Sequence, residues 1–294
     1  MLGGDVRTRQ TAALTVTLVL IAAVGLVVVL RRWEGHTVLG RQTCTVRITA
    51  ANAPDGAART LRLTTEQMAN AATIAAIGVQ RKLPERAVVI ALATAFQESK
   101  LRNLSGGDRD SVGLFQQRPS QGWGTVEQIR DIRYASNAFY AALEKVRGWE
   151  TMRVTEAAQA VQRSAFPELY EQWADESEVL ARALLGHAGG AVTCAVAGKP
   201  AMRGSAAAEA LVTGLHLDWG TLDAATPADP PGVTVAVADT RSGWRYAHWL
   251  VAHASAHGVK RVRFGAREWT ARSGTWTQVA DGATAREVIA EVFS

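Results

Sequence analysis

PERAVVIALATAFQE, residues 84–98, predicts a buried helix that ends in a single carboxylate. Pro84 suits the first helical position, and Glu85 suits the positively charged first turn. From Ala87 to Phe96 almost every residue is apolar, which is typical of a helix buried on most sides. Glu98 follows at the C-terminal end, where the helix dipole and the adjacent core both favour a protonated carboxyl. A glycosidase general acid needs such a proton, so Glu98 is a candidate acid, although a glutamate can also simply end a helix in water.

The chain continues over residues 98–116 as ESKLRNLSGGDRDSVGLFQ. This run resembles the signature of the soluble lytic transglycosylase and goose-type lysozyme superfamily, which is Glu-Ser, a polar loop with Ser, then Gly-Leu-Met/Phe-Gln. The resemblance implies a mainly α-helical lysozyme-like domain that cleaves the MurNAc-GlcNAc bond of peptidoglycan. In that family one Glu protonates the glycosidic oxygen and then serves as base while the muramic-acid 6-hydroxyl attacks the anomeric carbon. Glu98 matches that Glu, Gln116 matches the final Gln, and Ser111 lies close to the loop Ser.

The loop before Ser111 departs from the family pattern because it carries two acids, Asp108 and Asp110. Either one is a candidate second carboxylate that could hold a water for inverting hydrolysis. The alternative, which we favour slightly, is that they cap the loop through local hydrogen bonds. Hydrolysis and transglycosylation therefore both stay open.

Further polar and aromatic residues suit a polysaccharide groove. Gln117 and Trp123 lie in the run QRPSQGWG, where amides and an aromatic ring could contact sugars, although Trp123 could equally plug the edge of the core. Helices are expected near 131–146 and 155–162. The superfamily commonly carries a Tyr-Asn pair on a late helix, and residues 157–164 lack it, so Gln159 and Gln162 are candidate substitutes.

The span from Cys44 to Cys194 also resembles an actinobacterial group of membrane-attached lysozyme-like proteins, some of which are labelled metal transporters. The resemblance covers about half of the chain and rests on the ALATAFQESKLRN and GLFQQRPSQGWG runs. Nothing in the sequence supports transport, since it has one candidate membrane segment and no clustered metal ligands. We expect no metal site and no cofactor.

Residues 11–30 are uncharged, flanked by arginines and long enough to span a bilayer. No small-residue cleavage site follows, so we expect a retained single-span anchor with residues 1–10 in the cytoplasm. Arginines on both sides leave the orientation to be inferred from function, and peptidoglycan places the C-terminal bulk outside the cell. Cys44 and Cys194 bracket the expected catalytic domain and are predicted to form a disulfide in that oxidising compartment.

Composition adds weaker constraints. The chain has 294 residues, of which 48% are hydrophobic, and this excludes wholesale disorder. A net charge of +5 suits an anionic cell wall. Nucleic acid is the rival partner for a basic protein, but no nucleic-acid-binding motif or basic cluster occurs in the sequence, so none is expected.

The last part of the sequence predicts a small α/β domain. Its expected elements are a strand at 233–239, a helix at 243–257 capped by Gly258, a strand at 259–264, a hairpin between Trp269 and Trp276, and a final helix at 283–292. The module resembles degenerate D-Ala-D-Ala peptidase-like domains, without the histidines that bind zinc in those enzymes. His253 and His257 stand four residues apart, and surface positions are favoured over a ligand pair.

These inferences predict an N-terminal transmembrane helix (11–30), a mainly α lysozyme-like domain (31–194), a linker with one helix near 205–215 (195–232) and a small C-terminal α/β domain (233–294). The predicted function is peptidoglycan cleavage by a lytic transglycosylase or muramidase in the cell membrane. Its partners would be peptidoglycan glycan strands, the membrane and an envelope or conjugation machinery. The alternative is a non-catalytic peptidoglycan-binding scaffold of an envelope complex.

Overall fold

A computed structural model describes residues 42–53, 56–164, 167–196, 200–280 and 285–294. The expected membrane segment at 11–30 lies outside the described residues. Within these ranges no helix combines the length and the apolar character that crossing a membrane requires.

The described residues contain nine α-helices and three short 3-10 helices. The α-helices are α1 (Thr65–Gln80), α2 (Glu85–Ser99), α3 (Val126–Arg130), α4 (Ile132–Leu143), α5 (Val154–Gln162), α6 (Ala174–Leu184), α7 (Gly204–Trp219), α8 (Thr240–Ala252) and α9 (Ala254–His257). The 3-10 helices are Ala50–Asn52, Pro119–Gln121 and Pro167–Trp173.

Nine strands form two sheets in the same part of the chain. They are β1 (Thr43–Ile48), β2 (Arg59–Thr64), β3 (Val192–Cys194), β4 (Ala224–Ala225), β5 (Gly232–Ala236), β6 (Val259–Phe264), β7 (Arg267–Thr270), β8 (Trp276–Gln278) and β9 (Glu287–Val292). The first sheet has the order β2-β1-β3 and the second the order β4-β5-β9-β6-β7-β8. The described chain is therefore mixed α/β.

Helix α2 is the buried helix that the sequence predicts. All ten residues from Ala87 to Phe96 are buried, and the helix packs against α1, α5 and α6. Pro84 caps the helix instead of occupying its first turn, and Lys100 ends it in the left-handed conformation with φ 56°. Glu98 therefore emerges, half-buried, where α2 leaves the core.

The predicted disulfide between Cys44 and Cys194 is confirmed. The two cysteines face each other in the antiparallel pair β1–β3, so the bridge ties the start of the described chain to the end of the helical region. Both cysteines are at most 1% exposed. In the chain-entropy model, closing a loop of this length stabilises the fold by roughly 4–5 kcal/mol.

The C-terminal region confirms most of its predicted elements and contradicts one. Strands β5 and β6, the helical stretch α8–α9, the left-handed Gly258 and the Trp269–Trp276 pairing are all present. The predicted final helix is wrong, because Glu287–Val292 forms β9 between β5 and β6. Four of its six residues are buried, and an apolar run of this length suits a central strand as well as a helix.

The predicted linker contributes ordered elements. Helix α7 contains the expected helix near 205–215 and packs against α1, and β4 pairs with β5. Residues 42–294 cluster as one compact unit. The division at 31–194, 195–232 and 233–294 stays a prediction.

The prediction that His253 and His257 are surface residues is wrong for His253, which is 8% exposed. Its ring stacks on Trp249 with the ring centroids 4.0 Å apart. Trp249 in turn donates a hydrogen bond from Nε1 to Asp218, a fully buried carboxylate that also accepts from Thr73 and Arg133. A polar cluster that draws on α1, α4, α7 and α8 therefore surrounds His253.

Candidate active site at the end of helix α2

The carboxyl of Glu98 is held by a tyrosine that lies far away in sequence. Tyr170 donates a hydrogen bond from its hydroxyl to Oε1 of Glu98, at 2.6 Å. Tyr170 is fully buried, and burial followed by the nearby Glu98 charge raises the pKa of its phenol above the ordinary value. Ser164 also hydrogen-bonds to this phenol. Because the phenol stays protonated, it serves as a donor to the carboxylate.

The 3-10 helix that carries Tyr170 is fastened to the last turn of α2. Trp173 stacks on Phe96, with the ring centroids 5.2 Å apart, and donates from Nε1 to Oε1 of Gln97 at 2.9 Å. Lys100 places its ammonium 4.1 Å from the centroid of the Trp173 ring. These contacts hold the 3-10 helix against the C-terminal end of α2, and they therefore fix the distance between Tyr170 and Glu98.

Ser99 joins the two halves of the Glu-Ser…Gly-Leu-Phe-Gln motif. Its buried hydroxyl donates to the carbonyl of Leu114 at 2.7 Å. Gly113 adopts φ +79°, and a Cβ there would lie 2.8 Å from the carbonyl oxygen of Ile129. A side chain at position 113 would therefore force this turn away from its neighbour.

The structure brings Ser111 and Gln116 together around Gly107. A Cβ on Gly107 would lie 1.7 Å from Oε1 of Gln116 and 3.3 Å from Cβ of Ser111. Gln116 has φ 47° and donates from Nε2 to the carbonyl of Gly113 at 3.1 Å. Gly107 is therefore the position that makes room for the Gln116 amide.

All four predicted substrate-binding glutamines donate from Nε2 to backbone carbonyls, and Gln117 and Gln159 are two of them. Gln117 is 2% exposed and donates to the carbonyl of Ala135 at 3.2 Å. Gln159 donates to the carbonyl of Ser164 at 2.8 Å, and the side chain of the same Ser164 hydrogen-bonds to the Tyr170 hydroxyl. These amides support the walls of the site, and neither lines the cavities described below.

The loop acids Asp108 and Asp110 differ in their surroundings. Asp110 accepts from Nε of Arg118 on Oδ1 at 2.6 Å and from the backbone N–H of Ser120 on Oδ2 at 2.8 Å. Hydrogen bonds from Ser120, and then from Arg118, hold the pKa of Asp110 well below its usual range. The side chain of Asp108 is 92% exposed beside Arg109. Asp110 therefore clamps the loop, and Asp108 points into solvent.

A groove of about 920 Å³ runs between α4, α5 and the loop after Gln121. It contains two predicted site residues, Trp123 and Gln162, together with Lys145 and Arg163. Gln162 also donates to the carbonyl of Phe115 at 2.7 Å, which ties this wall to the residue before Gln116. Trp123 is half-buried and packs against the core.

Residues that are consecutive in the chain link the groove to the partners of the Glu98 carboxyl. Gln162 and Arg163 line the groove, and the next residue, Ser164, hydrogen-bonds to the Tyr170 phenol that holds Glu98. Sequence reasoning placed any site tyrosine in residues 157–164 and so missed both Ser164 and Tyr170. The available signal was the tyrosine of the run PELY, 167–170, in the segment that follows α5.

No protein-family model matches the sequence, and none of the curated proteins matches it significantly. Within the described ranges, no three His, Cys, Asp or Glu side chains are grouped in a way that could hold a metal ion.

Proposed function

We propose that this protein is a membrane-anchored peptidoglycan-cleaving enzyme that acts on the MurNAc-GlcNAc bond with Glu98 as general acid and base. The observation that carries the proposal is the 2.6 Å hydrogen bond from the buried phenol of Tyr170 to Oε1 of Glu98. A glutamate that only ended a helix would have no need of a buried phenol. The lysozyme-like fold suggested by sequence resemblance is part of the same proposal.

The hydrogen bond distinguishes the two oxygens of the Glu98 carboxyl. Oε1 accepts from Tyr170, and no hydrogen bond within the described residues engages Oε2. Oε2 is therefore the atom that would carry the proton to the glycosidic oxygen. Once that proton has left, Tyr170 stabilises the carboxylate by donating to Oε1. Oε2 then accepts the proton of the attacking hydroxyl.

A lytic transglycosylase is favoured over an inverting hydrolase. Inverting hydrolysis needs a second carboxylate that is free to activate a water. Both oxygens of Asp110 are engaged by Arg118 and Ser120, and Asp108 is directed into solvent. Attack by the muramic-acid 6-hydroxyl, which gives a 1,6-anhydro product, requires only Glu98.

The groove supports an extended glycan as substrate. Its lining combines an aromatic ring, Trp123, with the amide of Gln162 and the phenol of Tyr134, which suit stacking on sugars and hydrogen bonds to hydroxyls. Lys145 and Arg163 give it a positive charge that complements an anionic wall polymer.

The proposed location is the cell membrane, with residues 11–30 as a single span and the remaining C-terminal bulk outside. The Cys44–Cys194 disulfide supports this, since such bonds persist in oxidising compartments. An anchored enzyme of this kind would open the wall locally for growth or for an envelope-spanning assembly such as a conjugation apparatus.

The test is digestion of purified peptidoglycan by the full-length protein and by its Glu98→Gln variant, with mass spectrometry of the released muropeptides. We expect 1,6-anhydro products from the wild type and roughly a hundred- to ten-thousandfold less from the variant, as for the loss of a general acid. Reducing-end products would indicate a muramidase. Wall binding without release by either protein would refute an enzyme and leave the scaffold alternative.

A further inference from the structure

The first sheet has an open face built almost entirely from threonine and arginine. Cys44, Val46 and Ile48 of β1 are buried, so the alternate residues Thr43, Thr45 and Arg47 lie on the other face. Thr193 of β3 is directly opposite Thr45 and belongs to the same face. Strand alternation therefore presents a row of hydroxyls and a guanidinium away from the core.

The β7–β8 hairpin turns this face into a groove of about 460 Å³. Trp276 closes one side and donates from Nε1 to the carbonyl of Val192 at 2.8 Å, which covers the edge of β3. Arg267 lies on the same wall and donates to the carbonyl of Gly189 at 3.2 Å. No residue of α2 or α5 lines this groove, so it is separate from the Glu98 site.

The charge of the groove is one-sided. Its lining includes Arg47 and Arg267 and no aspartate or glutamate among the described residues. Both arginines are exposed, and none of the ion pairs found in the described part of the chain involves either of them. Within the described residues neither guanidinium has an acidic partner, and with one on the floor and one on the wall they suit two separate oxyanions.

We propose that this groove binds the carboxylate-bearing stem peptides of peptidoglycan, an inference that rests on the proposed function. Threonine hydroxyls both donate and accept hydrogen bonds, and they therefore suit peptide amides, which offer N–H and C=O groups. A continuous polyanion would be better matched by cations along the whole floor, whereas here uncharged hydroxyls separate the arginines. The peptide site and the glycan site would then bind the same peptidoglycan polymer at two places.

The test is isothermal titration of the full-length protein with a soluble GlcNAc-MurNAc-tetrapeptide. This disaccharide has no MurNAc-GlcNAc bond, so its binding is measured without turnover. We expect Arg47→Gln and Arg267→Gln each to weaken binding roughly fivefold, the upper end for an exposed charge pair. Arg272→Gln is the matched control, because Arg272 is exposed on the same hairpin and does not line the groove. The same muropeptide with its carboxylates converted to amides should bind the wild type more weakly than either single variant binds the acid form, because both arginines then lose their partners.

Binding by Arg47→Gln and Arg267→Gln that equals binding by Arg272→Gln would overturn the proposal, as would equal affinity for the amidated muropeptide. Cleavage of peptide-free glycan strands separates this result from the proposed function. Both arginine variants should cleave such strands at the wild-type rate. If Glu98→Gln kept full turnover while Arg47→Gln lost binding, the proposed reaction would fail and the peptide site would stand.

Discussion

Tyr170 donates its hydroxyl proton to Oε1 of Glu98 at 2.6 Å, although the two residues are 72 positions apart in the chain. Burial and the Glu98 charge raise the pKa of the phenol, so the proton stays on Tyr170. The tyrosine can therefore orient the carboxyl and stabilise its ionised form without exchanging protons with substrate.

Tyr170→Phe removes only the hydroxyl that holds Glu98. We expect the kcat for peptidoglycan cleavage to fall roughly 10- to 100-fold, the equivalent of one hydrogen bond to a charged group, while KM changes little. Initial rates of muropeptide release over a range of peptidoglycan concentrations separate the two constants.

Tyr140→Phe is the control for this variant. Tyr140 is also fully buried, and its hydroxyl donates to the carbonyl of Ile74 at 2.9 Å, away from Glu98. The Tyr140→Phe substitution should lower the free energy of unfolding by about 1 kcal/mol and leave kcat unchanged. Equal losses of kcat in the two variants would show that the Tyr170 effect is only one of stability.

Gly107→Ala tests whether the Gln116 amide belongs to the site. The new Cβ would lie 1.7 Å from Oε1 of Gln116, so the amide must move, while a glutamine side chain can move at little cost in stability. We expect turnover to fall several-fold with an unchanged melting temperature. Gly106→Ala has no atom within 4 Å of its Cβ and should behave as the wild type in the same rate assay. Unaltered turnover of the Gly107 variant would remove Gln116 from the proposed site.

Asp218→Asn should destabilise the fold. Asp218 is fully buried and accepts hydrogen bonds from Thr73, Arg133 and Trp249. In the asparagine variant an NH2 group replaces one carboxylate oxygen, so it would face one of these donors with another donor. We expect a loss of roughly 2–4 kcal/mol in the free energy of unfolding, measured by urea denaturation. Asp223→Asn, at an exposed position of the same segment, should stay within about 0.5 kcal/mol of the wild type. A small effect at Asp218 would mean that the cluster does not hold its helices together.

Two buried histidines predict that stability falls in acid. Burial lowers the pKa of His248 and of His253 to about 4, whereas a histidine in the unfolded chain titrates near 6.5. Asp218 opposes the shift at His253, and His257 and Arg133 reinforce it. Below about pH 6.5 the unfolded chain binds these protons first, so the free energy of unfolding decreases as the pH falls toward 4.

Each of these histidines should contribute on the order of 3 kcal/mol to that loss. In His248→Asn the decrease between pH 6.5 and pH 4 should be smaller, because one titrating group is gone while a donor to the Ala183 carbonyl is kept. His216 is exposed, so His216→Gln should keep the full decrease. Urea denaturation across this pH range gives the slope of the free energy of unfolding against pH for the wild type and the two variants. Equal slopes for the wild type and His248→Asn would refute the lowered pKa of His248.

Residues that act through local rules were predictable. The apolar run after Pro84 predicted α2 because such a run must be buried, and Gly258 predicted a helix end because glycine adopts a positive φ without strain. The pairing of Trp269 with Trp276 followed from the turn between them.

Short apolar segments were predicted less well. Glu287–Val292 was expected as a helix and forms a central strand, because six residues carry no periodicity strong enough to outweigh the neighbours they pair with. His253 was expected at the surface, and its burial depends on Trp249 and on the partners that α1 and α4 bring to Asp218.

Local sequence rules placed Glu98 at the end of a buried helix, predicted the two helices found as α4 and α5, and paired the two cysteines. They did not predict the 3-10 helix that carries Tyr170. The groups that surround the Glu98 carboxyl depend on tertiary packing. Tyr170 reaches Glu98 because Trp173 packs on Phe96, and Asp110 is occupied because Arg118 folds back onto it. Such contacts depend on how elements pack in space, and local sequence rules describe only residues that are near one another along the chain.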